Sequence, residues 1–410
     1  MRQISFVFLW LLILIVPWEE RSTIPGLASF AKILGLVVFL LGLTTVLVSG
    51  RVKFPFALVW LTLFAGWCAA STLWAINPGM ALHRVHTYVL LLAFVWLIST
   101  QTDNPKRLKA IIRAFVLGTA VMVINQYLGF FHAGVDLNTE ESARFTAFAT
   151  DANLFACTCS MGILFAFYLI TRLERTGFEL PNWFYWGFIV AFGIAVLLSG
   201  SRAGVLSGGI AGFVLLGRLR KITWAVRLGF VVAVMFVAFL APRLVARSTF
   251  DRIGEGTSSH TFELRTNAWL YGMKAWTETP ILGVGAGGYF DAMAKQGQKR
   301  MVAHNTFISV LVETGLVGFV FYFSFWAIVI RRILLLPKAD RFFWFGLFAS
   351  FLPALLSLSA EYLKVWWFLG GLVLCQMPQP SASDAKKRRI AGAVVPGLPL
   401  PTLTLRPDRP

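Results

Sequence analysis

Residues 4–18 read ISFVFLWLLILIVPW, and two glutamates, Glu19 and Glu20, follow Trp18 at once. Such an apolar run fits either a cleaved secretory leader or the first helix of a membrane bundle. A leader needs small residues at its cleavage point, and here that place is taken by a tryptophan and two acids. The run therefore reads as a membrane helix.

The rest of the chain repeats the pattern. Its 410 residues are 57% hydrophobic and 14% charged, with a mean hydropathy of +0.72, whereas soluble domains carry about 25% charged residues. About twelve apolar stretches of spanning length are expected, centred near residues 11, 38, 65, 90, 120, 162, 190, 210, 233, 317, 349 and 370. The expected fold is an all-α polytopic membrane protein. Residues 1–241 would hold transmembrane helices 1–9, residues 242–303 a long periplasmic loop with short helices, and residues 304–377 helices 10–12. Residues 378–410, rich in proline, serine and basic residues, read as a disordered cytoplasmic tail.

The formal net charge of +18 raises the question of nucleic acid. The basic residues form small clusters between apolar stretches and no long stripe, so a nucleic-acid partner is not expected. Clusters such as Arg51 and Lys53, Lys106 to Lys109, Arg218 to Lys221 and Lys386 to Arg389 fall in alternate connections. The positive-inside rule makes those connections and both termini cytoplasmic. Cys68, Cys157, Cys159 and Cys375 all lie within apolar segments and read as small hydrophobes.

The opposite connections are poor in basic residues, which makes Arg84, Arg144, Arg202 and Arg265 informative there. Arg202 sits in LLSGSRAG, residues 197–204, where small neighbours leave room at a helix junction. It is either a side chain snorkelling to the interface or a phosphate ligand, since a guanidinium donates two parallel hydrogen bonds and stays charged. Arg265 lies in TFELRTNAWLYGMKAWTETP, residues 261–280, which reads as a helix with a Thr261 cap, ending at Pro280 and lying across the outer mouth of the bundle. Arg265 is either an exposed helix charge beside Glu263 or a second anion ligand, with Trp269 one turn on.

The run PILGVGAGGYF, residues 280–290, is either a phosphate cradle or, the reading weighted higher, a tight turn; it fits neither nucleotide-loop pattern. Next comes HNTFI, residues 304–308, where the chain re-enters the apolar region. His304 is either a capping or interfacial residue or a proton-transfer group. Acids share that side, among them Asp251, Glu255, Glu263, Glu278 and Asp291, but without a metal-binding spacing, so no metal or other cofactor is expected.

Four blocks in this order resemble the O-antigen ligase family: ARFTAFATDANLFA at 143–156, LLSGSRAG at 197–204, the run from Arg265 and Trp269 to PILGVGAGG, and HNTFISVLVETGLVGF at 304–319. The first block departs from the family's R-x-T-G-T-F-x-N-x-N pattern at Ala147, Ala149 and Asp151, which weakens Arg144 more than the others. The resemblance implies a bundle of the kind seen in lipid-linked-sugar glycosyltransferases (GT-C-like) in the bacterial inner membrane. It also implies metal-independent, inverting transfer of polysaccharide from undecaprenyl pyrophosphate to lipid A-core at the periplasmic face. His304 would be the general base, Arg202, Arg265 and Arg144 would hold the pyrophosphate, and Asn305, Ser201, Trp269 and Arg84 would give support. O-antigen polymerases and protein O-oligosaccharyltransferases share the blocks and stay open as alternatives, as does an anion transporter. Membrane lipid is the other expected partner, and oligomeric state is not legible.

Overall fold

The computed structural model describes residues 2–18, 27–49, 54–128, 151–171, 180–219 and 259–376. The span expected near residue 233, Arg144, the loop residues before 259 and the tail 378–410 lie outside the described residues. What is described is α-helical, without a strand. The protein is thus an all-α polytopic membrane protein. Among the described residues six helices are long and apolar enough to cross a membrane, and further apolar helices are shorter.

The helices are α1 (Arg2–Ile15), α2 (Leu27–Ser49), α3 (Phe56–Ala70), α4 (Pro78–Gln101), α5 (Pro105–Leu128), α6 (Ala152–Thr171), α7 (Asn182–Leu198) and α8 (Arg202–Leu219). After these come α9 (Ser259–Glu278), α10 (Tyr289–Lys295), α11 (Thr306–Leu334), α12 (Lys338–Ser357) and α13 (Lys364–Leu374). Their starts are written locally. Asn77 caps α4 by accepting from the Met80 amide at 3.1 Å, with Pro78 supplying a preset first turn. Asn104 accepts from the Arg107 amide at 2.9 Å at the start of α5, and Asp151 accepts from the Asn153 amide at 2.7 Å at the start of α6.

Helix α6 is the centre of the bundle. It is apolar around its whole circumference and almost wholly buried, as a helix surrounded by others must be. It packs on α5, α7, α8 and α12. Small residues permit the close approach: a β-carbon at Gly162 would collide with Phe192 of α7, and one at Gly204 with Ala156. On the other side, α11, α12 and α13 are locked by an aromatic cluster. Trp326 stacks on Trp366 with centroids 3.8 Å apart, and Phe351 stacks on the same indole at 5.2 Å. Each such pair adds about 0.5–1.5 kcal/mol beyond its burial.

Helix α11 is broken at Gly315, which has φ 63° and ψ −171°. Its amides at Leu316 and Val317 turn away from Val312 and Glu313 and donate instead to the carbonyls of Pro280 (2.9 Å) and Ile281 (3.4 Å). The carbonyls thereby freed accept from Val284 (3.0 Å) and Gly285 (2.9 Å). The glycine run is thus wedged into the break, and every exchanged hydrogen bond is replaced. An interrupted helix is tolerated at membrane depth only when its backbone is re-satisfied in this way. Trp67 of α3 adds a clamp by donating its indole N–H to the Thr314 carbonyl at 2.8 Å.

Candidate functional site

Hydrogen bonds place several separate stretches at one end of the bundle. Ser201, in the turn between α7 and α8, donates to Asn153 at the start of α6 at 2.6 Å. Further along both helices, Cys157 and Ser207 are 3.0 Å apart, with the Ala354 backbone of α12 beside the thiol. The segment after α12 meets the start of α11: Thr306 donates to the Leu358 carbonyl and accepts from the Ala360 amide, both at 2.9 Å. The turn bearing Arg202 and the start of α11 after His304 therefore share this end.

His304 has φ 48°, the one non-glycine residue at positive φ among those described. That conformation costs energy and persists only where neighbours over-determine it. Before it, Trp269 of α9 donates its indole N–H to the Ala303 carbonyl at 2.8 Å. After it, the Asn305 side chain accepts from the amides of Phe307 (3.0 Å) and Ile308 (3.2 Å), capping α11. His304 is half-buried at this junction, between an anchored carbonyl and a capped helix. The helix expected across 261–280 is α9, which begins two residues earlier at Ser259, so Thr261 lies in its first turn and is not its cap; Arg265 lies four residues before Trp269, on the same face toward Ala303. Arg265 is half-buried and engaged with neighbouring groups.

Arg202 opens α8 and is exposed, while its backbone is fixed from both sides. Gly200 takes φ 62°, the Ser201 amide donates to Ser199 Oγ at 3.2 Å, and Gly204 donates to Ser201 Oγ at 2.9 Å. Ser201 is thus the joint that sets the turn, with Asn153 as its partner on α6.

Arg84 stands apart from the other arginines. Its guanidinium lies over the Tyr362 ring, 3.9 Å from the centroid, and within electrostatic reach of two buried acids, Glu313 and Glu361. A β-carbon at Gly287 would strike the Arg84 stem, so the glycine run and this arginine are in close contact. Gly287 in turn donates its amide to Glu313 Oε2 at 2.7 Å. Glu361 accepts from Ser309 Oγ at 2.8 Å. Burial first, and the Glu313 carboxylate second, push the Glu361 carboxyl above its ordinary value, while Arg84 and Ser309 oppose the shift.

The two acids were missed in the sequence, although a signal was there. An ionisable residue inside an apolar helix is a functional candidate by default, and Glu313 stands within α11. Glu361 is the acid in the short connection between α12 and α13. The glycine run, in contrast, is the turn that its composition allowed. Its amides from Gly283 to Gly288 are spent on protein acceptors, so they do not cradle a phosphate. Among the described residues no three His, Cys, Asp or Glu side chains come together as a metal site.

The molecule is therefore a multi-pass helical membrane protein with basic residues and a strained histidine gathered at one end. Residues 186–323, from within α7 to within α11, match the family model described as O-antigen ligase. The matched stretch contains Arg202, Arg265 and His304. The chain is also similar to the exopolysaccharide production protein ExoQ of Rhizobium meliloti (strain 1021), 26% identical over 280 residues. That alignment spans 64% of this chain and 62% of the length of ExoQ.

Proposed function

We propose that the protein is a membrane glycosyltransferase of the polysaccharide ligase or polymerase type. Its donor is a polysaccharide on undecaprenyl pyrophosphate and its acceptor a sugar hydroxyl of lipid A-core. The observation that carries this reading is the half-buried, strained His304, pinned through Ala303 by Trp269 of the helix that also carries Arg265. The site lies on the periplasmic side of a bacterial inner membrane in this reading.

The chemistry follows from these side chains. The acceptor hydroxyl is a weak nucleophile, and His304 takes its proton as the oxygen attacks the anomeric carbon. The bond from that carbon to the phosphate oxygen breaks, and its electron pair leaves with undecaprenyl pyrophosphate. Arg202 and Arg265, with Arg144 as a third contributor, hold the growing negative charge, so that no metal is needed. One displacement inverts the anomeric centre. Asn305, Ser201 and Trp269 fix the histidine and the Arg202 turn, whereas Arg84 is taken up by two acids and serves the scaffold.

The relative named for exopolysaccharide production favours a second acceptor, the end of a growing polysaccharide. Purified protein in liposomes, given lipid-linked glycan and either lipid A-core or a second lipid-linked glycan, separates the two. Glycan on lipid A-core is the expected product. Lengthened lipid-linked chains would establish the polymerase, and uptake of intact donor without any transfer would establish a transporter.

A further inference from the structure

The strain at His304 needs a restraint on each side of it: upstream Trp269 bonds Ala303, and downstream Asn305 caps α11, a local contact that does not itself tie α11 to another segment. Downstream, the first two turns of α11 are tied to the 358–361 segment at three points. Thr306 bonds Leu358 and Ala360, and one turn deeper Ser309 donates to Glu361 Oε1. Glu361 is 1% exposed. Its own carbonyl accepts the Trp367 indole N–H at 2.8 Å, which fixes its backbone to α13.

A buried carboxylate is costly, and a residue kept only for packing would be apolar. Among the described residues only one of the two Glu361 oxygens finds a donor, Oε2 being buried without a hydrogen-bond partner there. The groups facing it are Arg84 and Tyr88 from α4, Glu313 and Tyr322 from α11, and Ser309. Arg84 supplies the compensating charge and rests on the next residue, Tyr362.

We propose that Glu361 is a positioning residue for the proposed transfer: through Ser309 it holds the start of α11, and with it His304, at a fixed height against the 358–361 segment. The catalytic consequence rests on the function proposed above, and the restraint itself does not.

The test uses the full-length protein in nanodiscs, with Glu361→Ala, Glu361→Gln and Ser309→Ala. Hydrogen exchange of the 303–309 amides is read without substrate, and turnover and donor KM with it. Glu361→Ala is expected to speed that exchange and lower turnover by about tenfold, with donor KM within about twofold. Glu361→Gln keeps an acceptor for Ser309 and should remain within about threefold of the parent. Ser309→Ala should shift both readouts in the same direction as Glu361→Ala. Parent-like exchange in both Glu361→Ala and Ser309→Ala overturns the proposal, as does equal impairment by alanine and glutamine. If Glu361→Ala does not accumulate, the Ser309→Ala result alone decides. A parent protein that transfers no glycan defeats the proposed function, while the exchange data still decide the restraint.

Discussion

The Trp269 indole donates to the carbonyl of Ala303 at 2.8 Å, joining α9 to the residue just before the strained His304. The segment that carries Arg265 is therefore held against the segment that carries the histidine, although 39 residues separate the two in sequence.

Trp269→Phe keeps the ring and loses this bond. Stability should fall by only about 1 kcal/mol, the usual worth of one hydrogen bond. Turnover in the reconstituted transfer assay should fall by about tenfold, because reacting groups misplaced by a fraction of an ångström lose rate steeply.

The break in α11 predicts an effect confined to folding. Gly315→Ala puts a β-carbon at φ 63° against the Ile281 backbone. The left-handed conformation alone costs about 1–2 kcal/mol, and the backbone collision adds to it. Thermal unfolding in detergent should show a clearly lowered midpoint, whereas Gly297→Ala, also at positive φ but in open space, should cost only the conformational part.

Arg202→Lys keeps a positive charge and loses the planar fork. If Arg202 holds pyrophosphate by two parallel hydrogen bonds, transfer should drop on the order of tenfold to a hundredfold, with intact folding. Parent-like turnover in the lysine variant would remove the bidentate contact. Asn153→Ala tests the same turn indirectly, because it removes the acceptor of Ser201 and should weaken donor binding without touching a charge.

The buried Glu361 predicts a pH trend in stability. Its carboxyl is raised in the folded protein, by burial first and by Glu313 second. The folded state then binds more protons than the unfolded state between the ordinary glutamate value and the raised one. Stability from this group is full below the unfolded value and is lost as pH rises through the folded value. Unfolding midpoints measured across that window should fall with rising pH, and Glu361→Gln should flatten the slope.

Much of this architecture is written locally. The apolar spans, the helix that stops at Glu278 shortly before Pro280 and the Asn305 start of α11 each depend on neighbours within a few residues, through hydropathy, proline and capping, whereas the expected Thr261 cap falls inside the helix, which begins at Ser259. The site's wiring is not local. Nothing near Glu313 names Gly287 as its partner, and nothing in GVGAGG says that its amides replace hydrogen bonds lost at Gly315. The sequence left that run open between a phosphate cradle and a turn, and the choice depended on a helix break about 30 residues downstream. His304 was legible as a candidate, while its left-handed backbone was not, because the bonds on either side of it, Trp269 to Ala303 and Thr306 to the 358–360 segment, join residues distant in sequence.

In the proposed reaction His304 takes the acceptor proton during glycan transfer. The direct measurement is single-turnover formation of glycan-bearing lipid A-core in proteoliposomes, comparing the parent protein with His304→Ala, alongside binding of the undecaprenyl-pyrophosphate donor to each. His304→Ala should bind donor like the parent and form no product. Product formed by His304→Ala at the parent rate would contradict that role.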